Sequence, residues 1–550
     1  MKIKGNEIVA RALQQQGIDT MYYLMGGPTL GVAAECIKSE KIRMIDVRHE
    51  QAAAMMAHAQ ARLTGRPSVC MASSGPGVTN LVTGLANALF DCAPVIALGG
   101  CSPVSAFNTG YFQEIDQVAF MKPVTKWADR IYEARRIPEY IDHAVSEALS
   151  GKPGPVYLDM PGDVLYSEVE EEDIQWGNPR SNRVFHQPAA SDEAVQQILS
   201  LLEQSERPLI LSGSGIFWSG ASDALTAVVE KFGIPFYTTP QGRGAVPDDH
   251  DLTYAAARST AMREADLVIV VGTRLNYMFG YGKAPRFAAT AKFVRIDIDP
   301  EEIGCGQRVD VGVVADAGIA LRQLCDAADK SHPPAERYAA WRQHLEGVDT
   351  ERASRTADKT QSDSVPIHPL RLCAEVREFM DRDAILVVDG AEILNYARQS
   401  VPTFLPGHRL NSGPFGTMGV GLPFALGAKA TKPGHQVIVL HGDGAFGLNG
   451  MELDTAIRHK LPVLVVISLN GGWSADPTRD KPGRELGYTR FDLLAESLGC
   501  YGELVELPDQ IRPALERAAE QVRQGRTAVV NVVTDWSARS ETASFTTYVT

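Results

Sequence analysis

Short apolar runs alternate with segments of helical periodicity along most of the chain. Apolar runs of five or six residues are typical of strands that are buried on both faces. Strands that alternate with helices form parallel sheets. The pattern occurs in three blocks, so we predict an α/β protein with three doubly wound parallel-sheet domains, at residues 1–167, 190–330 and 365–535. The main runs predicted as strands are 68–72, 94–98, 208–212, 267–271, 293–298, 384–388, 436–440, 463–468 and 528–533.

Polar stretches separate these blocks and follow the last one. The first stretch, 168–190, begins with an acidic run. The second stretch, about 331–364, is predicted to be a linker. Its segment 356–364 is predicted to be a flexible loop, because hydroxyl and charged side chains dominate it. A polar tail, 536–550, follows the third block.

Composition and charge restrict the classes of function. The chain has 550 residues, so three domains can each bury a core. A net charge of −14 argues against binding to nucleic acid or to a membrane surface, since such proteins carry a basic face. The eight cysteines form no CxxC pair, and the first residues do not have the pattern of a signal peptide. We therefore expect a cytoplasmic protein with no nucleic-acid or membrane partner.

One glycine-rich motif directly follows a predicted strand. Residues 441–446 read His-Gly-Asp-Gly-Ala-Phe, and Asn470 follows the next strand, 27 positions after Asp443. The C-terminal ends of neighbouring parallel strands lie side by side, at the edge where open α/β sheets bind ligands. A carboxylate and an amide oxygen at that edge suit Mg²⁺, which completes its coordination with phosphate and water oxygens. The glycines would let a diphosphate approach the backbone.

A second motif lies in the first block. The run 44–47 is predicted to be a strand that leads into Arg48-His49-Glu50 and then into a helix of small residues. A carboxylate at such a junction can be shielded from water. Glu50 is therefore a candidate acid, and the alternative is a carboxylate that interacts only with the helix dipole.

Together the motifs resemble those of thiamine-diphosphate (ThDP) enzymes of the acetolactate-synthase-like superfamily. The resemblance rests on Gly442-Asp443-Gly444 with Asn470, on Arg48-His49-Glu50 and on Ser-Ser-Gly-Pro-Gly-Val-Thr-Asn at 73–80. The family motif usually ends in two asparagines, and here Leu469 takes the place of the first. The resemblance implies that Asp443, Asn470 and the carbonyl group of Gly472 bind Mg²⁺. It also implies that Glu50 activates ThDP.

The resemblance assigns further residues around the cofactor. Gly416 and Met418 would contact the aminopyrimidine ring, with Met418 holding the cofactor in its bent form. Gly390 would leave room over the thiazolium ring, so its replacement should alter the range of substrates. The remaining cofactor positions are Gly442, Gly444, Ala445 and Trp473.

The middle block points to one branch of the superfamily. Its pattern Gly-Thr-Arg-Leu-Asn at 272–276 resembles the oxalyl-CoA decarboxylase and 2-hydroxyacyl-CoA lyase branch. In that branch the middle domain can hold ADP, with Arg274 binding phosphate and Asp297 accepting hydrogen bonds from the ribose hydroxyls. The candidates for the phosphates of CoA, each of which could equally be an ordinary surface cation, are Arg243, His408 and Arg409.

Two features of the sequence favour a lyase over a decarboxylase within this branch. The residues after Asn470 read Gly-Gly-Trp-Ser-Ala-Asp and differ from the oxalyl-CoA decarboxylase pattern. The tail 536–550 resembles that of bacterial 2-hydroxyacyl-CoA lyases, where it would close over the site. We predict cleavage of a 2-hydroxyacyl-CoA to formyl-CoA and an aldehyde or ketone. The alternatives are an oxalyl-CoA decarboxylase, an acetolactate-synthase-like enzyme and a non-catalytic nucleotide-binding regulator.

The predicted reaction needs proton transfer and a second subunit. A base must take the 2-hydroxyl proton and an acid must protonate the resulting carbanion. The candidates are His49, Gln113, Glu485 and Asp476, while Glu485 could equally be a surface charge and Glu114, beside Gln113, a structural carboxylate. The resemblance implies a homo-oligomer, at least a dimer and commonly a tetramer, in which the first domain of one subunit meets the third domain of another.

Overall fold

Three parallel sheets follow one another along the chain. The computed structural model describes residues 1–177, 186–304, 308–328, 335–473, 480 and 482–540. Within these ranges the sheets have six, five and six strands, flanked by helices. The α/β class with three sheet domains is confirmed. In the same ranges, no helix combines the length and the apolar character needed to cross a bilayer.

The first domain contains a six-stranded sheet and a small two-stranded one. Its strands are β1 Lys2–Lys4, β2 Thr20–Tyr23, β3 Arg43–Asp46, β4 Ser68–Ala72, β5 Val95–Cys101, β6 Trp127–Arg130, β7 Val156–Pro161 and β8 Glu168–Glu170. Its helices are α1 Gly5–Gln15, α2 Leu30–Ser39, α3 Glu50–Thr64, α4 Pro76–Asn80, α5 Val82–Phe90, α6 Gln117–Met121, α7 Ile137–Leu149 and α8 Gly162–Tyr166. The parallel sheet has the order β3-β2-β4-β5-β7-β6. Strands β1 and β8 pair antiparallel, so part of the acidic run is a strand.

The middle domain contains a five-stranded parallel sheet. Its strands are β9 Pro208–Ser212, β10 Phe236–Thr238, β11 Leu267–Val271, β12 Lys292–Asp297 and β13 Val311–Val314. The helices in and after it are α9 Asp192–Gln204, α10 Ser214–Trp218, α11 Ser222–Phe232, α12 Arg258–Glu264, α13 Pro300–Gly304, α14 Ala317–Ala328 and α15 Ala339–Thr360. The strand order is β10-β9-β11-β12-β13.

The prediction of a flexible loop at 356–364 is wrong, because helix α15 continues to Thr360. This helix buries only two side chains, Trp341 and Leu345, so its sequence lacks a long apolar stripe. Its exposed part is stabilised by polar contacts, such as the ion pair between Glu351 and Arg355 one turn apart. An exposed helix that buries few side chains is rich in polar residues, as a loop is, so composition alone does not distinguish the two.

The third domain contains the second six-stranded sheet. Its strands are β14 Ile385–Asp389, β15 Arg409–Leu410, β16 Val437–Gly442, β17 Leu464–Leu469, β18 Tyr501–Val505 and β19 Ala528–Val533. Its helices are α16 Pro369–Phe379, α17 Glu392–Ser400, α18 Gly421–Thr431, α19 Asp443–Asn449, α20 Glu452–Arg458, α21 Phe491–Ser497 and α22 Ile511–Arg523. The order β15-β14-β16-β17-β19-β18 repeats the order of the first domain's parallel sheet, strand for strand.

Helices α3 and α18 join the first and third domains. Their side chains belong to one buried apolar cluster. The two helices approach closely because small residues line the contact: a Cβ atom on Gly427 would lie 2.5 Å from the carbonyl oxygen of Met56. Close packing of this kind leaves helix α3 little room to shift against the third domain. Glu50, the first residue of α3, is therefore held in place by both domains.

Candidate active site

The two halves of the predicted metal motif lie in contact. Strands β16 and β17 pair in parallel, which brings Asp443 beside the turn after β17. The Oδ2 atom of Asp443 accepts hydrogen bonds from the backbone N–H groups of Gly471 at 2.7 Å and Gly472 at 3.1 Å. The side-chain oxygen of Asn470 accepts one from Gly472 at 3.2 Å. The structure thus brings Asp443, Asn470 and Gly472 together at the edge where the sequence places them.

The donor set of this turn fits a hard divalent cation. A carboxylate, an amide oxygen and a backbone carbonyl supply oxygen ligands, and Mg²⁺ usually needs only a few from the protein. Within the described part of the chain, no cluster of three or more histidine, cysteine, aspartate or glutamate side chains could hold a metal ion. A cation at Asp443 would therefore take its remaining ligands from diphosphate and water.

Glycines around this turn allow the chain to pack closely on itself. A Cβ atom on Gly444 would lie 2.7 Å from the ring of Trp473, and Ala445 is fully buried behind it. Gly390 has a φ angle of +128°, and a Cβ atom there would lie 3.1 Å from the backbone nitrogen of Gly442. The predicted cofactor residues Gly390, Gly442, Gly444 and Trp473 thus surround the metal motif.

The turn before α18 carries the predicted pyrimidine contacts. Gly416 has a φ angle of +74°, and a Cβ atom there would meet nothing within 4 Å. Met418 follows it and is half-buried. The turn begins at Asn411, whose side-chain oxygen accepts hydrogen bonds from the N–H of Gly413 at 2.9 Å and from the amide of Gln241 at 3.0 Å. A middle-domain side chain therefore helps to hold this cofactor segment.

Glu50 is buried beneath the segment 73–80. It is 6% exposed, and its Oε2 atom accepts a hydrogen bond from the amide of Asn80 at 2.9 Å. A Cβ atom on Gly77 would lie 2.5 Å from the Oγ atom of Ser73 and 3.4 Å from the Oε1 atom of Glu50, so the segment packs directly on the carboxyl group. The two first-domain motifs of the sequence are therefore one structural unit.

His49 caps the helix that Glu50 begins. Its Nδ1 atom accepts a hydrogen bond from the N–H of Gln51 at 3.1 Å, and its own backbone N–H donates to Glu452 at 3.1 Å. The side chain is exposed. Because Nδ1 serves as the helix cap, Nε2 is the atom of His49 left for proton transfer.

Gln113 is held in an unusual backbone conformation. Its φ angle is +60°, a region that costs a non-glycine residue about 1–3 kcal/mol. Its side-chain oxygen accepts a hydrogen bond from Ser74 at 2.9 Å. The carboxylate of the adjacent Glu114 accepts backbone N–H groups, first of Asn108 and then of Tyr111 and Gly110, which hold the pKa of Glu114 below its usual value. Glu114 thus shapes the loop that presents Gln113.

Gln117 was not among the predicted site residues. Its side chain is 1% exposed. The amide oxygen accepts the N–H of Gly75 at 2.6 Å, and the amide nitrogen donates to Asp159 at 2.6 Å and to the carbonyl of Gly100 at 2.9 Å. It therefore fixes Gly75 in the segment that covers Glu50. Its partners are distant in sequence, so no local pattern could have indicated this role.

The segment around Glu485 lies against the metal motif. Glu485 forms an antiparallel bridge with Gly472, and the N–H of Trp473 donates to the carbonyl of Arg484 at 2.9 Å. Glu485 therefore lies beside the main chain of the metal motif, and its side chain is exposed. Asp476 and the tail residues 541–550 lie outside the described residues. The start of the tail lies near Gly390, because the N–H of Ser540 donates to Glu392 at 3.2 Å.

A cavity of about 490 Å³ opens between the middle and first domains. Arg274 and Asp297 line it, as the nucleotide prediction requires. The guanidinium of Arg274, however, donates to Glu302 at 2.8 Å and to the carbonyl of Phe90 at 2.9 Å. Burial raises the pKa of Asp297 to about 6. The expected fork of donors for phosphate is thus already committed to protein groups.

The three residues predicted for CoA phosphates lie elsewhere, at the boundary of the middle and third domains. Arg243 is half-buried and pairs with Asp248 at 2.8 Å. His408 and Arg409 are 9% and 2% exposed, so the alternative that they are surface cations is wrong for both. Burial, and then the nearby charge of Arg243, lower the pKa of Arg409 to about 9.

Further arginines extend this boundary into a cluster. Burial and then the charge of Arg398 lower the pKa of Arg258 to about 10. Arg398 itself feels the charges of Arg243 and Arg286. In the described ranges, no carboxylate lies within ion-pair distance of Arg258, Arg286, Arg398 or Arg409. We name as the arginine cluster the residues Arg243, Arg258, Arg286, Arg398 and Arg409.

Comparison with family models agrees with the domain order. Residues 3–120 match the model described as thiamine pyrophosphate enzyme, N-terminal TPP binding domain. Residues 195–324 match the thiamine pyrophosphate enzyme central domain, and residues 393–532 match the C-terminal TPP binding domain. These matches include Glu50, Asp443 and Asn470.

Curated relatives extend over nearly the whole chain. The chain is 35% identical to acetolactate synthase large subunit IlvG of Mycobacterium tuberculosis, covering 96% of both proteins. It is 34% identical to 2-hydroxyacyl-CoA lyase 1 of Mus musculus, covering 94% of this chain and 92% of the relative. It is 33% identical to oxalyl-CoA decarboxylase of Escherichia coli, covering 98% and 97%. The chain therefore belongs to the thiamine pyrophosphate enzymes, as a ThDP-dependent member of the acetolactate-synthase-like superfamily.

Proposed function

We propose that this protein is a lyase that cleaves a 2-hydroxyacyl-CoA into formyl-CoA and an aldehyde or ketone, and that it also catalyses the reverse condensation. Two of its relatives are named for CoA-linked substrates and one for acetolactate. The observation that carries the proposal is the arginine cluster, which favours a substrate with several negative charges.

The arginine cluster needs an anion to balance it. Burying a guanidinium costs free energy unless an opposite charge or hydrogen bonds compensate it. Arg243 has its carboxylate, but Arg398 and Arg409 have only neutral oxygen partners in the described structure. Arginine binds phosphate through paired donors, and CoA carries a diphosphate and a 3′-phosphate. Pyruvate, with one carboxylate, would leave most of this charge unbalanced.

The cofactor site fits ThDP and Mg²⁺. Asp443, Asn470 and the carbonyl of Gly472 would hold the cation, and the glycines beside them would admit the diphosphate. Bound ThDP supplies a carbon nucleophile that accepts the electron pair of the broken carbon–carbon bond. Glu50, buried and oriented by Asn80, would hold the proton that the pyrimidine ring exchanges.

Cleavage leaves two protons to be placed. The C1–C2 bond breaks, the 2-hydroxyl group loses its proton to become a carbonyl, and C1 gains a proton to become the formyl group. His49 through Nε2 and Glu485 through its carboxylate are the candidates for these transfers. Gln113 would orient the substrate through its amide, since Ser74 fixes its side chain.

We also propose that the active unit is a homo-oligomer, at least a dimer. Phe112, beside Gln113, is 77% exposed in the single chain. Leu448 and Met451, which follow the metal motif, are 54% and 49% exposed. Large apolar side chains at a site are expected to be covered, and a second copy of the chain is the proposed partner. Sedimentation equilibrium would test this.

The cavity is proposed as a nucleoside site. Asp297 can accept hydrogen bonds from ribose hydroxyls. The cations Arg274 and Lys152 are paired with Glu302, and acidic side chains outnumber them on the cavity wall. This lining therefore suits the adenosine part of the predicted ADP better than its diphosphate.

The test is a product assay on the loaded protein. Protein with ThDP and Mg²⁺ is incubated with 2-hydroxyisobutyryl-CoA or mandelyl-CoA, and formyl-CoA and the carbonyl product are measured. Release of CO₂ from oxalyl-CoA without lyase activity would identify a decarboxylase instead. Acetolactate formed from pyruvate would identify a synthase. ThDP binding with none of these activities would contradict all three assignments.

Glu50→Gln tests the proposed acid. The amide oxygen can still accept from Asn80, so the fold should be retained, but the side chain can no longer exchange a proton. We expect kcat to fall about 100-fold or more. Glu139→Gln, an exposed first-domain residue, is the matched control and should keep wild-type kcat. Wild-type kcat in Glu50→Gln would remove Glu50 from the mechanism.

A further inference from the structure

Asp389 lies beneath three cofactor segments and has no assigned role. It ends β14 and is 2% exposed. Its Oδ2 atom accepts the N–H of Gly421 at 2.8 Å. Burial raises the pKa of this carboxyl group to about 7, while the nearby N–H groups of Gly390, Gly419 and Val420 favour its charged form. The hydrogen bond from Gly421 thus joins the end of β14, where Gly390 follows, to the turn before α18.

The neighbour of Asp389 in the sheet is His441, on the strand that leads to Asp443. Its Nδ1 atom is 3.7 Å from Asp389, beyond hydrogen-bond distance. The packing is close, since a Cβ atom on Gly421 would lie 2.2 Å from the His441 ring. The N–H of Gly421 is therefore the group that lies within hydrogen-bond distance of the Asp389 carboxyl group.

Such an arrangement fixes the relative positions of the turns. A hydrogen bond between a buried carboxyl oxygen and a backbone N–H group is costly to break, because both groups would be left buried without a partner. Along the chain, 28 residues separate Gly390 from Gly419. The hydrogen bond from Gly421 to Asp389 is what couples the two turns.

We propose that Asp389 is a positioning residue for ThDP. It holds Gly390, which would cover the thiazolium, in register with the turn that carries Met418 to the pyrimidine. Both turns are held beside β16, which carries the metal motif. The inference rests on ThDP binding within the proposed function, and it does not depend on which carbon–carbon bond is cleaved.

Asp389→Asn tests the inference with little change of shape. The amide keeps one acceptor oxygen, but its NH₂ group points hydrogens at backbone donors. We expect the Kd for ThDP, measured with Mg²⁺ by intrinsic fluorescence, to rise tenfold or more. Trp473, which packs on Gly444, is suited to report binding. Hydrogen exchange at 411–421 in the cofactor-free variant should also become faster.

Asp266→Asn is the matched control. Asp266 likewise accepts hydrogen bonds from backbone N–H groups, those of Glu206 and Arg207, but in the middle domain. We expect it to lower the melting temperature and leave the Kd for ThDP unchanged. An Asp389→Asn variant that behaves in the same way, with its Kd within twofold of wild type, would overturn the positioning role.

A measurement on the wild type covers the case in which the variant does not fold. Without cofactor, the amide of Gly421, which donates to Asp389, should exchange far more slowly than that of the exposed Gly416. Equal exchange rates would overturn the proposal. A wild-type protein that binds ThDP but yields no formyl-CoA would contradict the lyase assignment alone, because affinity and exchange are measured without turnover.

Discussion

The middle-domain cavity and the arginine cluster both collect cations at domain boundaries, yet their charges are balanced differently. In the cavity, Arg274 and Lys152 share the carboxylate of Glu302. In the cluster, Arg398 donates to the side-chain oxygen of Asn395, and Arg409 donates to a backbone carbonyl. The cations of the cavity are thus paired with protein carboxylates, whereas in the described structure the cluster has one carboxylate partner, Asp248 on Arg243.

The difference shows what identifies an anion site. A residue type says which interactions are available, and the partners in the fold say which of them are already used. A buried charge without a partner destabilises the fold, so such a charge indicates a site where a bound ligand can neutralise it. By this criterion the cluster is the stronger candidate for a polyphosphate, although Arg274 stands in the more suggestive motif.

Among the variants that test this comparison, the largest effect is expected from Arg398→Gln. Hydrogen bonds to charged groups contribute about 1.5–3 kcal/mol, so the KM for the acyl-CoA should rise about 10- to 100-fold. The kcat at saturating substrate should change little, since the cluster would bind the part of CoA that does not react. Steady-state kinetics measure both values.

Arg382→Gln is the control for that variant. Arg382 is an exposed third-domain arginine paired with Asp249, and its loss should leave KM unchanged. If Arg398→Gln also leaves KM unchanged, the contrast between the two regions fails.

Asp297→Asn tests the charge of the cavity. Burial raises the pKa of Asp297 to about 6, against about 4 in the unfolded chain. The protonated form is favoured by folding, so this group's stabilisation is present below about pH 4 and is lost as the pH rises through 6. The variant keeps an acceptor for Asp299 and cannot ionise. It should be more stable than the wild type by about 3 kcal/mol at pH 7 and nearly equal to it at pH 4.

Thermal unfolding of both proteins between pH 4 and pH 7 measures that difference. A gap that stays constant with pH would show that Asp297 does not titrate in the folded protein. The cavity would then be less negative than its lining suggests.

The smallest effect is expected from Arg274→Gln. Because Arg274 is paired with Glu302, its removal should change the KM for acyl-CoA less than twofold. It should lower the stability by about 1 kcal/mol, through loss of the contacts to Glu302 and Phe90. Kinetics and melting temperature measured together separate the two effects. A tenfold rise in KM would move the phosphate site to the cavity.

The fold and the metal motif could be predicted because they depend on local order. Strand, turn and helix repeat along the chain, and parallel pairing then brings Asp443 and Asn470 to one edge. The same reasoning placed Glu50 at the start of a helix, where the structure has it. Spacing is informative when the topology converts it directly into proximity.

The rest depends on partners that are distant in sequence. Asp389 and Gln117 act through backbone N–H groups, which every residue type except proline carries. Arg398 and Arg258 lie 140 residues apart and became candidates only when the fold placed them together. The helix that ends at Thr360 was mistaken for a loop because it has almost no buried stripe. None of these features leaves a pattern in neighbouring residues.

The repeated strand order of the first and third sheets has an evolutionary reading. Two domains of one chain follow the same path, yet Glu50 follows the second strand of its parallel sheet and Asp443 the third of the other. Duplication of an ancestral domain, followed by divergence of the loops, accounts for both facts. On the proposed roles, one copy would contact the pyrimidine ring and the other the diphosphate and Mg²⁺, so the two functions would differ in the loops while the strand order stayed the same.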